Sequence, residues 1–443
     1  MTSSRRSPSI RRPRRKSRRL LRIGAGIAQF VLFVAVACAM LAGPSEATLR
    51  QGEELFVHEW QPNDPLARNG DGLGPVFNAK SCVECHFQGG VGGAGPNKHN
   101  VTAYEILPTA QRPQRLSGVI HASATDVSYR ETTEQLRSLF PVEPGGPIRV
   151  NCATITPDFD PLRMTEINTP PLFGLGLIDN INSFTVQGHH FSKAIKKIGS
   201  ELQLEFDAVS VGTPRILDDG RFGRFGWKGQ FANLEEFVAA ACAMELGLSN
   251  PLKRQPVPGK PNESDTARLD MDRQQLRSLV AFVRHLPRPE QVMPEDTAER
   301  QIIERGEHLF TSIGCAQCHT PTLGGIEGLY SDLSLHRLTE PDNASYREPV
   351  PRDPIGPDRH PSADEWKTPP LWGVADSAPY FHDGGSPTLE SAIHRHAGAS
   401  RKVTEQYKQL EKEDRVALIK FLKSLRAPVM PAVGEGTLVL KPQ

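Results

Sequence analysis

Aromatic residues are scarce in this 443-residue chain: they make up 7%, with four tryptophans and six tyrosines. The hydrophobic fraction, 38%, is also lean for a chain long enough to form two or three domains. Glycine and proline, by contrast, number 38 each, so much of the chain must be loop. Charge of one sign is equally short, with 52 basic against 51 acidic residues and a net charge of +1. Many of the basic residues crowd the first 22 positions, and no basic surplus remains beyond them. That argues against a nucleic-acid partner. Cysteine numbers only seven, and the positions of those seven carry the strongest functional signal in the chain.

Four of them lie in two copies of Cys-x-x-Cys-His: Cys82, Cys85 and His86, then Cys315, Cys318 and His319. In this pentapeptide two thiols add across the vinyl groups of a haem and the adjacent histidine becomes the proximal iron ligand. A zinc knuckle wants a second Cys/His pair at a regular offset, and a thioredoxin-like pair wants a βαβ setting. Neither accounts for a histidine directly after the second cysteine, twice. The expected cofactors are two covalently bound haem c groups. A haem is itself a large rigid apolar core, so a chain holding two can fold with few aromatics and long loops. Gly90-x-Gly92-x-x-Gly95 satisfies a dinucleotide-binding pattern, but it follows a haem motif rather than a strand and reads as a loop.

The N-terminus reads as a targeting segment. An Arg-rich stretch without acids precedes an uncharged run from Ile23 to Gly43, and Ser45-Glu46-Ala47 puts small residues where a signal peptidase reads. Cleavage after Ala47 is expected, with an uncleaved membrane anchor as the alternative, because the run is long enough to span a bilayer. Ser17-Arg18-Arg19-Leu20-Leu21 resembles a twin-arginine signal. Either route leads to the periplasm or cell envelope. Cys38 falls in this segment. Cys152 and Cys242 remain, and an oxidising compartment permits a disulfide between them.

The chain also repeats itself. Gly52-Glu53-Glu54-Leu55-Phe56 precedes the first haem motif and Gly306-Glu307-His308-Leu309-Phe310 the second; Thr169-Pro170-Pro171-Leu172-Phe173-Gly174 and Thr368-Pro369-Pro370-Leu371-Trp372-Gly373 come after them. Leu276–Leu286 then parallels Arg415–Leu425, both with apolar residues at the spacing of an amphipathic helix and both stopped by proline, at Pro289 and Pro428. Landmarks in the same order indicate internal duplication. The expected fold is mainly α, with two cytochrome c-like domains at 48–290 and 291–443, a targeting segment at 1–47, and long loops. Residues 251–265 read as an exposed Pro-rich loop.

These features resemble the bacterial di-haem cytochrome c peroxidase superfamily, in particular its di-haem oxidoreductase branch. The likeness rests on both haem motifs, Phe225-Gly226-Trp227-Lys228, Tyr330-Ser331-Asp332-Leu333, Glu365–Gly373 and Ala378–Gly385 followed by Thr388-Leu389-Glu390. The resemblance implies that the C-terminal haem is six-coordinate and stores an electron, while peroxide meets the N-terminal haem. It places the distal ligand of the C-terminal haem at His396, with His394 as competitor; the peroxidases proper carry Met there. It assigns Glu245 to proton transfer during peroxide cleavage and Trp227 to electron relay between the haems. It makes His99 a candidate displaceable ligand of the first haem, and Asn168, Ser377 and Pro379 a candidate Ca²⁺ site. Bis-His ligation favours ferric iron more than His/Met does, so the C-terminal haem is expected at lower potential.

The expected function is a di-haem oxidoreductase of the peroxidase class, with peroxide as substrate and a small redox protein as electron donor or acceptor. A homodimer is compatible with the sequence. Two other readings stay open: an electron-transfer cytochrome with no open site, and a di-haem oxidase or oxygenase acting on a macromolecule.

Overall fold

A computed structural model describes residues 43–108, 115–125, 132–144, 148–150, 153–156, 158–201, 212–257, 260–264, 268–338, 360–362 and 364–429. Cys38, Cys152 and most of the expected targeting segment lie outside these residues. Among those described, no helix is long and apolar enough to cross a membrane. Ala47, the expected cleavage point, sits in the first turn of a helix, α1 (Glu46–Val57).

Four helices make two packed pairs. The first is α1 with α4 (Arg273–His285), the second α5 (Thr297–Ser312) with α7 (Lys412–Ser424). Asp272 and Gln275 form a reciprocal capping box at the start of α4, satisfying backbone N–H groups the first turn leaves unpaired. Asp296 caps α5 by accepting from Glu299 N at 2.8 Å. The apolar stripe of α4 buries Leu276, Leu279, Phe282 and Val283; that of α7 buries Leu418, Phe421 and Leu422.

Glycine lets each pair close up. A Cβ placed on Gly52 of α1 would stand 2.0 Å from Ser278 O of α4. A Cβ on Gly306 of α5 would stand 2.1 Å from Ala417 O of α7. No larger residue fits either crossing. Phe56 and Phe282 then meet at 5.2 Å between ring centroids, Phe310 and Phe421 at 5.3 Å. Each pair anchors its own hydrophobic cluster. Glu290–Gln291, just after α4, pairs antiparallel with Leu425–Arg426 at the end of α7.

The expectation of a mainly α fold needs correction. Among the described residues helix accounts for 39% and strand for 16%, the latter in several small sheets. The insert after the first haem motif holds a three-stranded antiparallel sheet, with β1 (Val101–Ile106) central between β2 (Leu116–Ile120) and β3 (Leu162–Ile167). Tyr104 and Ile106 alternate inward from β1, as a half-buried strand requires, and form a third apolar cluster with Leu136, Phe140 and Leu162. Residues 251–265 are likewise more than an exposed loop: Pro256–Val257 pairs with Lys260–Ser264, and Gln255 is buried.

Three more elements shape the site. They are α2 (Ser183–Glu201), α3 (Leu234–Glu245) and α6 (Leu389–Arg395). A two-stranded ribbon, β4 (Leu335–Arg337) with β5 (Glu365–Lys367), runs beside them.

Candidate haem sites

In the first motif Ser81 caps a single helical turn, Cys82–Cys85, accepting from Glu84 N at 3.2 Å. His86 ends that turn, and its Nδ1 pairs with Gly93 O at 3.1 Å. The glycine-rich loop is what brings that carbonyl round: a Cβ on Gly93 would lie 1.7 Å from Gln88 O. Phe56 of α1 stands 6.5 Å from the His86 ring.

The second motif repeats these relations. Cys315–Gln317 forms a tight turn, His319 Nδ1 pairs with Tyr330 O at 3.1 Å, and Phe310 of α5 stands 6.4 Å from the ring. Burial pushes both imidazoles down to about 4, so each is neutral at physiological pH. In each the carbonyl fixes the proton on Nδ1 and leaves the Nε2 lone pair to meet a metal.

The surroundings then diverge. Across from His319 stands His396, at the C-terminal end of α6, with 6.4 Å between ring centroids. Its Nδ1 pairs with Ala392 O at 2.8 Å, so it too turns Nε2 outward. His394 instead stands edge-on to Tyr407. Beside Cys85 is Glu245, the last residue of α3, close enough for its charge to act on the thiol. Burial pushes the Glu245 carboxyl up to about 7, while Asn78 Nδ2, donating to it at 2.6 Å, pulls the other way. Asn78 also donates its backbone N–H to Glu245 O at 2.7 Å. The ring of His99 stands edge-on to Phe87 at 6.0 Å, half-buried.

A cavity of about 280 Å³ adjoins the second motif and reaches the Thr-Pro-Pro boxes of both halves. Trp227 lines it; its Nε1–H donates to Asn168 O at 2.9 Å, and its backbone O accepts from Lys367 N at 2.9 Å. Asn168, Ser377 and Pro379 line the same cavity. The Asn168 amide donates to Asn100 Oδ1 at 3.1 Å, and the Ser377 hydroxyl to Gly373 O at 2.9 Å.

Two groupings here were given no role from the sequence, although Asp332, Lys228, Trp366 and His382 fall in the boxes that carry the resemblance. Asp332, fully buried, pairs with Lys193 of α2 and with His336 of β4, each at 2.9 Å. Burial alone would raise the Asp332 carboxyl, but His336 and Lys193 hold it well below the usual carboxylate range. His336 Nδ1 in turn lies 3.5 Å from Cys318 Sγ. The second grouping is a stack: Trp366 lies flat on His382 at 3.5 Å, with the Lys228 ammonium 3.9 Å from the indole centroid. Asp332 and His336, spaced four apart, were one visible signal; nothing local pointed to Lys193.

Residues 280–425, which contain the second motif, His396 and Lys367, match the family described as "Di-haem oxidoreductase, putative peroxidase". Over part of its length the chain is similar to di-haem cytochrome c peroxidases. A cytochrome c551 peroxidase of Nitrosomonas europaea is 29% identical over 141 residues, covering 30% of this chain and 38% of that protein. The cytochrome c peroxidase Ccp of Escherichia coli K12 is 32% identical over 140 residues, covering 29% of this chain and 26% of its own length. The matches thus span well under two thirds of either relative. Among solved structures, Kuenenia stuttgartiensis hydrazine synthase pressurised with 20 bar xenon aligns at TM-score 0.38 and 14% identity, covering 87% of this chain and 89% of that one. A MauG-like protein associated with microbial copper homeostasis aligns at 0.30 and 18%, covering 49% and 78%.

The residues at the two motifs fit haem. Three neutral, carbonyl-oriented imidazoles offer Nε2. The gap between His319 and His396 accommodates two metal–nitrogen bonds of about 2 Å each plus the two half-rings.

Proposed function

We propose that this protein is a periplasmic or envelope-bound di-haem c-type oxidoreductase that reduces peroxide. Cys82 and Cys85 would attach one haem, with His86 as an iron ligand, and Cys315 and Cys318 would attach the other, with His319 and His396 as its ligands. The observation that carries the reading is the contrast between a carboxylate beside the first motif and an imidazole facing the second. Bound haem supplies iron that exchanges single electrons. Glu245, poised near neutrality, accepts the proton from one peroxide oxygen and returns it to the other, where an ideal shuttle has a pKa near the working pH. Asn78 holds the carboxylate in place for this. Trp227, bonded to segments of both halves, would be the intervening ring between the two haem sites, to which a small redox protein would supply electrons.

The matched glycine crossings, phenylalanine contacts and histidine–carbonyl bonds support two duplicated domains, 48–290 and 291–443. His99 would serve as a displaceable ligand for a haem held at the first motif. The oxygens of Asn168, Ser377 and Pro379 would hold Ca²⁺ between the domains. Electron paramagnetic resonance of the ferric protein tests the reading: one high-spin and one low-spin haem are expected once the first site is open, with a spectral response to peroxide. Two low-spin haems that ignore peroxide under oxidising and half-reduced conditions would sink it in favour of a pure electron-transfer cytochrome.

A further inference from the structure

The cavity beside the second motif has cationic side chains in its wall and lacks an anion to match one of them. Lys367, on β5, lines it and is only 8% exposed. Its backbone is fixed by pairing opposite Leu335 and by the bond to Trp227 O. Among the described residues no carboxylate lies within ion-pair distance of its ammonium. The carboxylate whose charge reaches it is Asp332, and Asp332 is already occupied by Lys193 and His336. Burial pushes the Lys367 ammonium down to about 8. Arg224 lines the same cavity: it spends Nη1 on the carbonyls of Asp179 and Ile181 and leaves a buried Nε–H without an acceptor.

A buried cation without a counter-charge costs several kcal/mol, about as much as a desolvated ion does in general. Nearby Lys193 shows how this fold treats a buried ammonium when nothing else is coming: it pairs it with Asp332. Lys367 is left open toward a cavity whose wall also includes Cys315, Cys318, His319 and His396.

We propose that Lys367 is the seat of a carboxylate that a ligand brings into this cavity. Two sources share that chemistry: a propionate of the haem held at His319, and a free small carboxylate. The proposal rests on the assignment of haem to the second motif, and counting haems by mass spectrometry on the same samples tests that assignment separately.

The experiment compares full-length haem-loaded protein with K367M and K367R in buffer free of carboxylates, then with added sodium acetate. If the partner is a propionate, K367M lowers the midpoint potential of the second haem, because uncompensated negative charge beside it favours ferric iron. K367R then stays near the wild type, and acetate changes nothing. If the partner is a free carboxylate, acetate perturbs the Soret spectrum of the wild type saturably, and K367M binds it at least tenfold more weakly. Identical potentials and identical acetate responses in K367M and wild type overturn the proposal. Should K367M fail to fold, K367R decides. Exchanging ammonium for guanidinium moves the propionate band in resonance Raman or the acetate affinity if the group touches a carboxylate. If neither moves, the proposal is wrong.

Discussion

The two Cys-x-x-Cys-His motifs are held in the same way and face different neighbours. Each histidine is half-buried, neutral, tied through Nδ1 to a carbonyl and backed by a phenylalanine from the preceding helix. What stands opposite or alongside differs in kind. The second motif meets another imidazole at 6.4 Å, and the first has a carboxyl with its pKa near 7. Proximal architecture therefore does not assign the roles. On the proposed reading, the division between an electron-storing centre and a reactive one would lie in one or two residues contributed from distant parts of the chain.

Four measurements test how far this contrast holds. The largest effect is expected from H396A, which removes the second imidazole and should convert the low-spin haem to high-spin, so that paramagnetic resonance no longer distinguishes the sites. H396M should instead keep that haem low-spin and raise its potential. Next is E245Q. It should slow peroxide turnover by roughly 10²- to 10⁴-fold without altering either spin state. The carboxyl pKa is raised, so its ionised, proton-accepting form grows in as pH rises through about 7. Wild-type turnover should climb across that range and E245Q should stay flat; a pH-independent wild type would remove Glu245 from the proton path.

G52A and G306A form a matched pair. Either added methyl strikes a carbonyl at 2.0–2.1 Å, and each should cost about 1–3 kcal/mol in chemical unfolding. Comparable losses would make the two crossings energetic equivalents, and a loss at only one would show the pairs are not. The smallest effect is expected from K228M, which strips the cation from Trp366 and two hydrogen bonds to the carbonyls of Ser362 and Glu365. A stability loss of about 1–2 kcal/mol, read by thermal melting, is the expectation.

Much of the helical frame was legible because its signals are local. Period-3.6 stripes and proline stops marked α4 and α7 directly, whereas Gly52–Phe56 in α1 and Gly306–Phe310 in α5 were legible only as a repeat. The strands were missed for a related reason. The alternation Val101-Thr102-Ala103-Tyr104-Glu105-Ile106 is short and lies in an insert without a partner in the other half. The Pro256–Val257 hairpin was hidden by prolines that ordinarily argue for loop. The histidines of the two motifs could be read from spacing alone. The Asp332 cluster could not, because Lys193 lies 139 residues away and sits on a helix whose exposed side carries Phe184 and Phe191. With charge inside and rings outside, α2 inverts the usual amphipathic pattern, so patterning could not have indicated which way it faces.

Trp227 is gripped at both its ring and its backbone, by Asn168 on one side and Lys367 on the other. An indole held in this way is also a spacer. Its backbone bond to Lys367 ties residues 48–290 to residues 291–443, while its ring bond to Asn168 fixes the indole within the first of these segments. On the proposed reading, a route for charge through the ring would run along a side chain fixed at both its indole and its backbone.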